Sequence, residues 1–576
     1  VASIAGAGSI TLGSNTLTSG GSDASTTFSG VISGTNGNLV KVGNGTLTLS
    51  GANTYTGTTT INAGDLTVSG SLHDSTAVTI ASGADYNVNA SDTVASIEGA
   101  GNIVIASSQT LTAGDGNDKT LSGVISGAGN YIKAGSGTQT LTGNNSYTGS
   151  TTISAGLLKI IRDDPTSYLA ATSGFTGPGN LTIESSGDDF TADIVTGTHV
   201  QLAGTALGNL IIGKTGNTRQ IDLSSDITTT GTQTYNGPVR LVGGDRTVST
   251  TNSNVIFAST VNSDGTQRAL TVTNGTGDTT FSGAIGGSAP VKSLTITSDQ
   301  LTAGAITLNG ALTATLGGSS SITGVIANGA STANLVKAGS GTLTLSASNT
   351  YTGTTQVSAG TLTVSGSGRL SDSTAVTVDS GAVYNVAVSD TVASIAGAGS
   401  ITLGSNTLTS GGSDASTTFS GVISGTNGNI IKAGTGTLTL TGNNSYTGST
   451  TISNPSGLLK IERDAPLSYL GSTSGFTGPG SLHVLPVSDD FSEVVSTANI
   501  TLSGTFLNEL VVGKTSGSSV FYIDSDIRTS GSQTYNAPTI VRNGNWELQT
   551  TNSTILFEDT LNSDGTPRNL TIDTGS

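Results

Sequence analysis

Hydrophobic positions in this chain come in very short bursts that alternate with threonine, as in Ile10-Thr11-Leu12, Leu47-Thr48-Leu49 and Leu66-Thr67-Val68. A period of two in β-branched residues puts one face of a strand in a core and the other in water. Clusters of Gly, Asn, Asp and Ser separate the bursts and supply turns and left-handed backbone positions. No stretch carries a capped 3.6-residue apolar period, so almost no helix is expected.

The bursts recur at fixed distances. Leu49 and Val68, Leu141 and Ile160, and Leu345 and Val364 are each nineteen residues apart. A circuit of about twenty residues with two or three short strands is one coil of a β-solenoid, stacked on its predecessor in a parallel ladder about 4.8 Å away. The fourth such pair, Leu440 and Ile461, is twenty-one residues apart, because Asn454-Pro455-Ser456 replaces the single Ala155 of the second copy. An insertion in a turn leaves the stacked strands in register. The expected architecture is therefore all-β, an elongated rod of about 29 coils. Leu, Ile and Val would fill a thin interior, with Thr, Ser and Asn ladders around it. A string of immunoglobulin-like sandwiches is the rival, but it needs strands of about 5–6 residues and an aromatic core.

Longer repeats overlie the coils. Val1–Asn38 recurs unchanged at Val392–Asn429, and a diverged copy starts at Val94. A second motif appears four times, from Leu39 (LVKVGNGTLTLSGANTYTGTTTINAGDLTV), Tyr131, Leu335 and Ile430. A third appears twice, from Ser225 (SDITTTGTQTYNGPV) and Ser525 (SDIRTSGSQTYNAPT). Leu39 returns as Leu335 and Thr250 as Thr550, so the chain holds nearly two copies of a module of about 300 residues. The implied division is coils 1–38 completing a preceding module, a module over 39–334, and a second over 335–576. Loop excursions are expected near 161–204 and 462–504, where Pro165, Tyr168 and Phe175, and then Pro466, Tyr469 and Phe476, break the pattern.

Composition narrows the chemistry. Among 576 residues there are 83 Gly, no Cys, no Met and three His. Disulfides, thiolate metal sites and cysteine nucleophiles are excluded, and a multi-histidine metal centre nearly so. The net charge of −17, with Lys and Arg scattered, argues against nucleic acid and anionic membranes as partners. No apolar run reaches the roughly 18 residues of a membrane-spanning helix. The chain opens on Val1, which reads as a segment of a longer precursor or its processed form.

The four-copy motif resembles the strand repeat of bacterial autotransporter passenger domains. The resemblance rests on Lys41, Gly43 and Gly45, the TLTL strand, Asn53-Thr54-Tyr55-Thr56-Gly57, and Thr59-Thr60-Ile61 leading to Ala63-Gly64. TGTQTYNGPV and NSDGTQRALTV resemble repeats of haemagglutinin-like exoproteins and giant adhesins. These resemblances imply a right-handed parallel β-helix, export across a Gram-negative envelope, and display on or release from the cell surface.

Each polar position of note has two readings. The repeat-turn residues are Asn53, Tyr55, Gly57, Asn145, Tyr147, Gly149, Asn349, Tyr351, Gly353, Asn444, Tyr446 and Gly448. The tyrosines could form a row that stacks on sugars. The favoured reading is a ring covering the coil edge, its hydroxyl bonded to the neighbouring turn. The asparagines are expected to bond turn backbone or form a ladder. The acidic residues Asp163, Asp164, Asp188, Asp189, Asp464, Asp489 and Asp490, with Arg162, Glu462 and Arg463, could pair as acid and base on a polysaccharide. Adjacent residues on a strand point to opposite faces, however, so solvated recognition loops are the expectation. Their oxygens would suit weak Ca²⁺ binding, and no other cofactor is expected. His73, His199 and His483 share no repeat position.

These readings converge on a non-enzymatic extracellular fibre protein serving adhesion, biofilm cohesion or filament formation. Its partners would be further copies or modules stacked end to end, surface glycans, and host or neighbouring cells. A polysaccharide-binding or polysaccharide-cleaving β-helix is the alternative.

Overall fold

The computed structural model describes residues 1–166, 174–202, 206–503 and 506–575. The chain divides into two compact units, Val1–Ala289 and Pro290–Ser576. Each is a parallel β-solenoid. The boundary differs in phase from the repeat boundary at Leu335, which lies inside a strand, Asn334–Ala338, paired on both sides.

In the first unit, thirteen short strands from Thr16–Ser19 to Thr279–Phe281 pair in sequence as one parallel ladder. One inward column runs Ile80, Gly99, Leu121, Leu141, Ile160, Ile183, Ile212, Tyr235, Phe257 and Phe281. In the second unit a matching ladder of thirteen strands runs from Leu294–Ser298 to Ile555–Phe557. Its column begins Ile296, Ala314, Lys337, Val357 and Val378, and ends Val512, Tyr535 and Phe557. The alternation of Thr-Leu-Thr-Leu is realised as expected: in Thr46–Leu49, Leu47 and Leu49 are buried and both threonines are partly exposed. Removing these apolar faces from water, at about 25 cal/mol per Å², drives coil stacking.

Three features depart from the expectation. Coil length is not constant: Ile61 and Ile80 are partners nineteen residues apart, but Ile183 and Ile212 are partners twenty-nine apart. Longer coils mean fewer of them, about 26 instead of 29. Second, the segments read as excursions contribute strands to the coils. In 161–204 the strands Phe175–Thr176, Asn180–Glu184 and Ile194–Val195 join the ladders. In 462–504, Phe476–Thr477 and Ser481–Leu485 do the same. The aromatic residues that broke the sequence pattern are there to be buried: Phe175 is 1% exposed, and Phe476 and Tyr469 are fully buried. Tyr168 lies outside the described residues. Third, the few aromatic residues stack in the interior. Tyr235, Phe257 and Phe281 form a continuous pile with centroids 5.0 and 4.8 Å apart, and Tyr535 and Phe557 repeat it at 5.2 Å.

Helix is confined, among the described residues, to Leu467–Leu470 and a 3₁₀ turn at Thr497–Asn499. No helix of the described residues is long and apolar enough to cross a membrane.

Candidate functional site

The lysines, asparagines and tyrosines shared by the four-copy motif do not line a surface. They form a bracket inside the coil. In Leu39-Val40-Lys41, Leu39 and Lys41 lie on one face of the strand, and that face is the core. Lys41 is 1% exposed and sits in register between Ser19 and Ile61. Its ammonium donates to the carbonyls of Val42 at 3.0 Å, Gly43 at 2.7 Å and Ala63 at 2.9 Å, the last belonging to the next coil. Lys133 repeats this with Ala134, Gly135 and Ala155 (2.5, 2.9 and 3.1 Å), and Lys337 with Ala338, Gly339 and Ala359 (2.7, 2.9 and 3.2 Å). Lys432 bonds Ala433 and Gly434, and the inserted Asn454-Pro455-Ser456 replaces the turn that holds the third acceptor elsewhere. An ammonium has three protons to donate, and three main-chain carbonyls match them. Burial lowers the pKa of each lysine, that of Lys337 to about 8.

The asparagines complete the bracket. Asn53 Oδ1 accepts the Ile32 N–H of the preceding coil at 3.0 Å, and Nδ2 donates to Gly51 and to Ser71 of the following coil. Asn349 does the same with Ile326, Ala347 and Arg369. Asn145 and Asn444 receive the N–H groups of Ile125 and Ile423, each at 2.7 Å. In those two copies the amide nitrogen is buried with no partner among the described residues.

Tyr55, Tyr147, Tyr351 and Tyr446 are fully buried. Each hydroxyl meets the threonine four residues on, Thr59, Thr151, Thr355 or Thr450, at 2.5–2.6 Å. This partner lies in the same coil, Tyr446 also meets the Tyr469 hydroxyl of the following coil at 2.5 Å, and the buried rings are closed to any sugar. The glycines mark close approaches of adjacent coils. The Gly57 N–H donates to Gly37 O at 3.0 Å, and an added Cβ would overlap that oxygen. Gly149, Gly353 and Gly448 meet the carbonyls of Gly129, Ala333 and Gly428 in the same way.

The acidic residues are also coil joints. Asp163 accepts the Ser186 N–H and hydroxyl, both at 2.8 Å, and Asp464 does the same with Ser488. Asp189 accepts the Thr218 N–H and hydroxyl, and Asp490 those of Ser518 with the Ser519 N–H. These hydrogen bonds hold the carboxyl pKa values below the usual range. Asp164 bonds Thr166 within its own turn, Asp489 takes the Ser516 hydroxyl, and Asp188 is exposed. Asp163 and Asp164 thus hold different loops, whereas Asp489 and Asp490 both hold the turn at Ser516–Ser519. Among the described residues, no three His, Asp or Glu side chains are grouped to hold a metal ion.

Two further polar elements are absent from the sequence reading. Asp92 and Asp390 are 5% and 3% exposed, inside the coil. Asp92 accepts the Tyr86 hydroxyl at 2.7 Å and the N–H groups of Leu72 and Thr93, each at 3.1 Å. Asp390 is held identically by Tyr384, Leu370 and Thr391. Burial raises both carboxyl pKa values, that of Asp92 to about 6. Gln233 and Gln533, fully buried, take the hydroxyls of Tyr235 and Tyr535 and donate to Ser249 and Gln549 of the next coil. The signal was present in the phase of the alternation: Asp92 shares a face with Val94, and Gln233 with Tyr235.

The fold and these brackets define a β-solenoid whose repeat chemistry faces inward. The passenger-associated-transport-repeat family matches the chain at residues 39–68, 132–160, 335–364 and 430–454, which are the bracketed coils. The last match stops where the inserted turn begins. No curated protein and no solved structure matches the chain.

Proposed function

We propose that this chain is a non-enzymatic display segment, exported as a passenger and presented at or beyond the cell surface for adhesion. The observation that supports the reading is the use made of its reactive side chains. The lysines, buried aspartates and repeat tyrosines are bonded inside coils, and Asp163, Asp189, Asp464 and Asp490 are bonded to the turns above them. A carboxylate committed to backbone N–H groups at lowered pKa is a poor general acid near neutral pH. Repetition of coils offers reach and many equivalent contact points.

The test is adhesion by a bacterial strain displaying the chain, with polysaccharide turnover measured in parallel. Retention of displaying cells on a target surface without turnover supports the reading. Saccharide release that disappears in Asp189→Asn overturns it in favour of the cleaving β-helix.

A further inference from the structure

The two units share their backbone plan, so a side-chain cluster present in one and missing from the other is informative. In the second unit, a cavity of about 400 Å³ opens beside the 3₁₀ turn Thr497–Asn499, lined in part by Thr501, Phe506, Ser525, Asp526 and Arg528. Phe506 is 45% exposed, unusual in a chain that buries most of its aromatic rings. Arg528, half exposed, pairs with Glu547 at 3.2 Å. Asp526 accepts the Glu547 N–H at 2.7 Å.

The equivalent place in the first unit keeps the scaffold without the decoration. There Asp226 accepts the Thr247 N–H at 2.8 Å, as Asp526 does from Glu547. The strands pair alike, Thr228 with Ser249 and Arg528 with Gln549. The matching positions are Ala206, Thr228 and Thr247, where the second unit has Phe506, Arg528 and Glu547. Around one opening, whose lining also differs at other positions, Thr501 (Gln201) among them, these three changes replace small or hydroxylic groups by an aromatic ring and an ion pair. None of them serves the core.

We propose that this groove binds a neutral pyranose unit of a glycan, which names a ligand class for the adhesive reading and rests on it. A pyranose offers an apolar C–H face and a rim of hydroxyls. Phe506 supplies the apolar platform, and Asp526, Arg528, Ser525 and Thr501 supply acceptors and donors for the rim. The volume falls within the range of small-ligand pockets. Charge selects against acidic sugars: the Arg528 cation is matched by Glu547, and Asp526 adds a negative charge.

The full chain is titrated calorimetrically with tetrasaccharides of glucose, galactose, mannose and N-acetylglucosamine, and with a tetrameric uronate. Saturable binding of at least one neutral tetramer is expected, at one site per chain. Phe506→Ala and Arg528→Thr should each weaken it by about tenfold or more with an unchanged melting curve. The uronate should bind at least about tenfold more weakly. The proposal is overturned if no neutral tetramer binds, if both variants bind like the parent chain, if two equivalent sites appear, or if the uronate binds best. Adhesion that persists without saccharide binding would sink the groove and leave the adhesive reading standing.

Discussion

The Tyr86 hydroxyl donates a 2.7 Å hydrogen bond to Asp92 inside a coil otherwise filled by Ile, Leu and Val. Burial raises the Asp92 pKa from 3.8 to about 6, so the folded state binds the proton more tightly than the unfolded chain. The stability this provides is fully present below the unfolded pKa and is lost as pH climbs through the folded one. A shift of roughly two units corresponds to about 3 kcal/mol. Asp92→Asn keeps an acceptor for the Leu72 and Thr93 N–H groups and a donor toward Tyr86. It should therefore raise the melting temperature at pH 8, with the gain shrinking toward pH 4. Thermal melts across that range check it, and a gain that is constant with pH would contradict the assignment.

The four bracket lysines should be chemically silent. Lys41, Lys133, Lys337 and Lys432 are at most 1% exposed, with ammonium groups occupied by carbonyls. Under brief acetylation of the folded protein they should remain unmodified, while the solvent-facing Lys214 and Lys514 react. Peptide mass spectrometry reads the difference. Lys337→Met should cost about 2–4 kcal/mol, because three buried carbonyls lose their donor.

Glycines of one unit should divide by their neighbours. An added Cβ at Gly353 meets the Ala333 carbonyl oxygen, whereas one at Gly304 meets nothing within 4 Å. Gly353→Ala should loosen its coil and accelerate amide exchange in the strands Asn334–Ala338 and Thr355–Val357. Gly304→Ala should leave exchange and melting unchanged. Equal effects would show that the coils tolerate wider spacing than the ladder implies.

The acidic joints should open in acid. Asp490 has a lowered pKa because it receives backbone N–H groups from Ser519 and Ser518 and the Ser518 hydroxyl. Its contribution is present above the ordinary carboxyl pKa and is lost as pH falls through the folded one. Hydrogen exchange, corrected for intrinsic rates, should show Ser518 and Ser519 deprotected below that range. The same amides should be deprotected at neutral pH in Asp490→Ala, while distant strands keep their protection.

The coil was legible because its determinants are local. Alternation set the strand faces, and the spacing of Leu345 and Val364 matched a coil circuit, since those two residues are ladder partners. The repeat tyrosines and glycines stood out as a set, but their role did not. Tyr351 could be placed at a turn, yet only packing shows it bonding Thr355 inside the coil. The segments 161–204 and 462–504 read as excursions because their strands, Asn180–Glu184 and Ser481–Leu485 among them, are separated by long turns that interrupt the alternation.

What the sequence by itself determined is the phase and period of the chain: which residues share a face, how far apart coils recur, and where turns fall. These follow from strand geometry over a few residues. What only the tertiary structure decided is which polar groups enter the core and what they meet there. Lys337 and Asp390 occupy inward positions that the alternation already marked, but an ionisable group in a core is acceptable only if acceptors or donors await it. Those partners come from turns of adjacent coils, about twenty residues away for Ala359 and Leu370 and up to twenty-nine for the joint between Asp189 and Thr218. That distance depends on the length of each coil, which is set by how the loops pack and not by any local pattern.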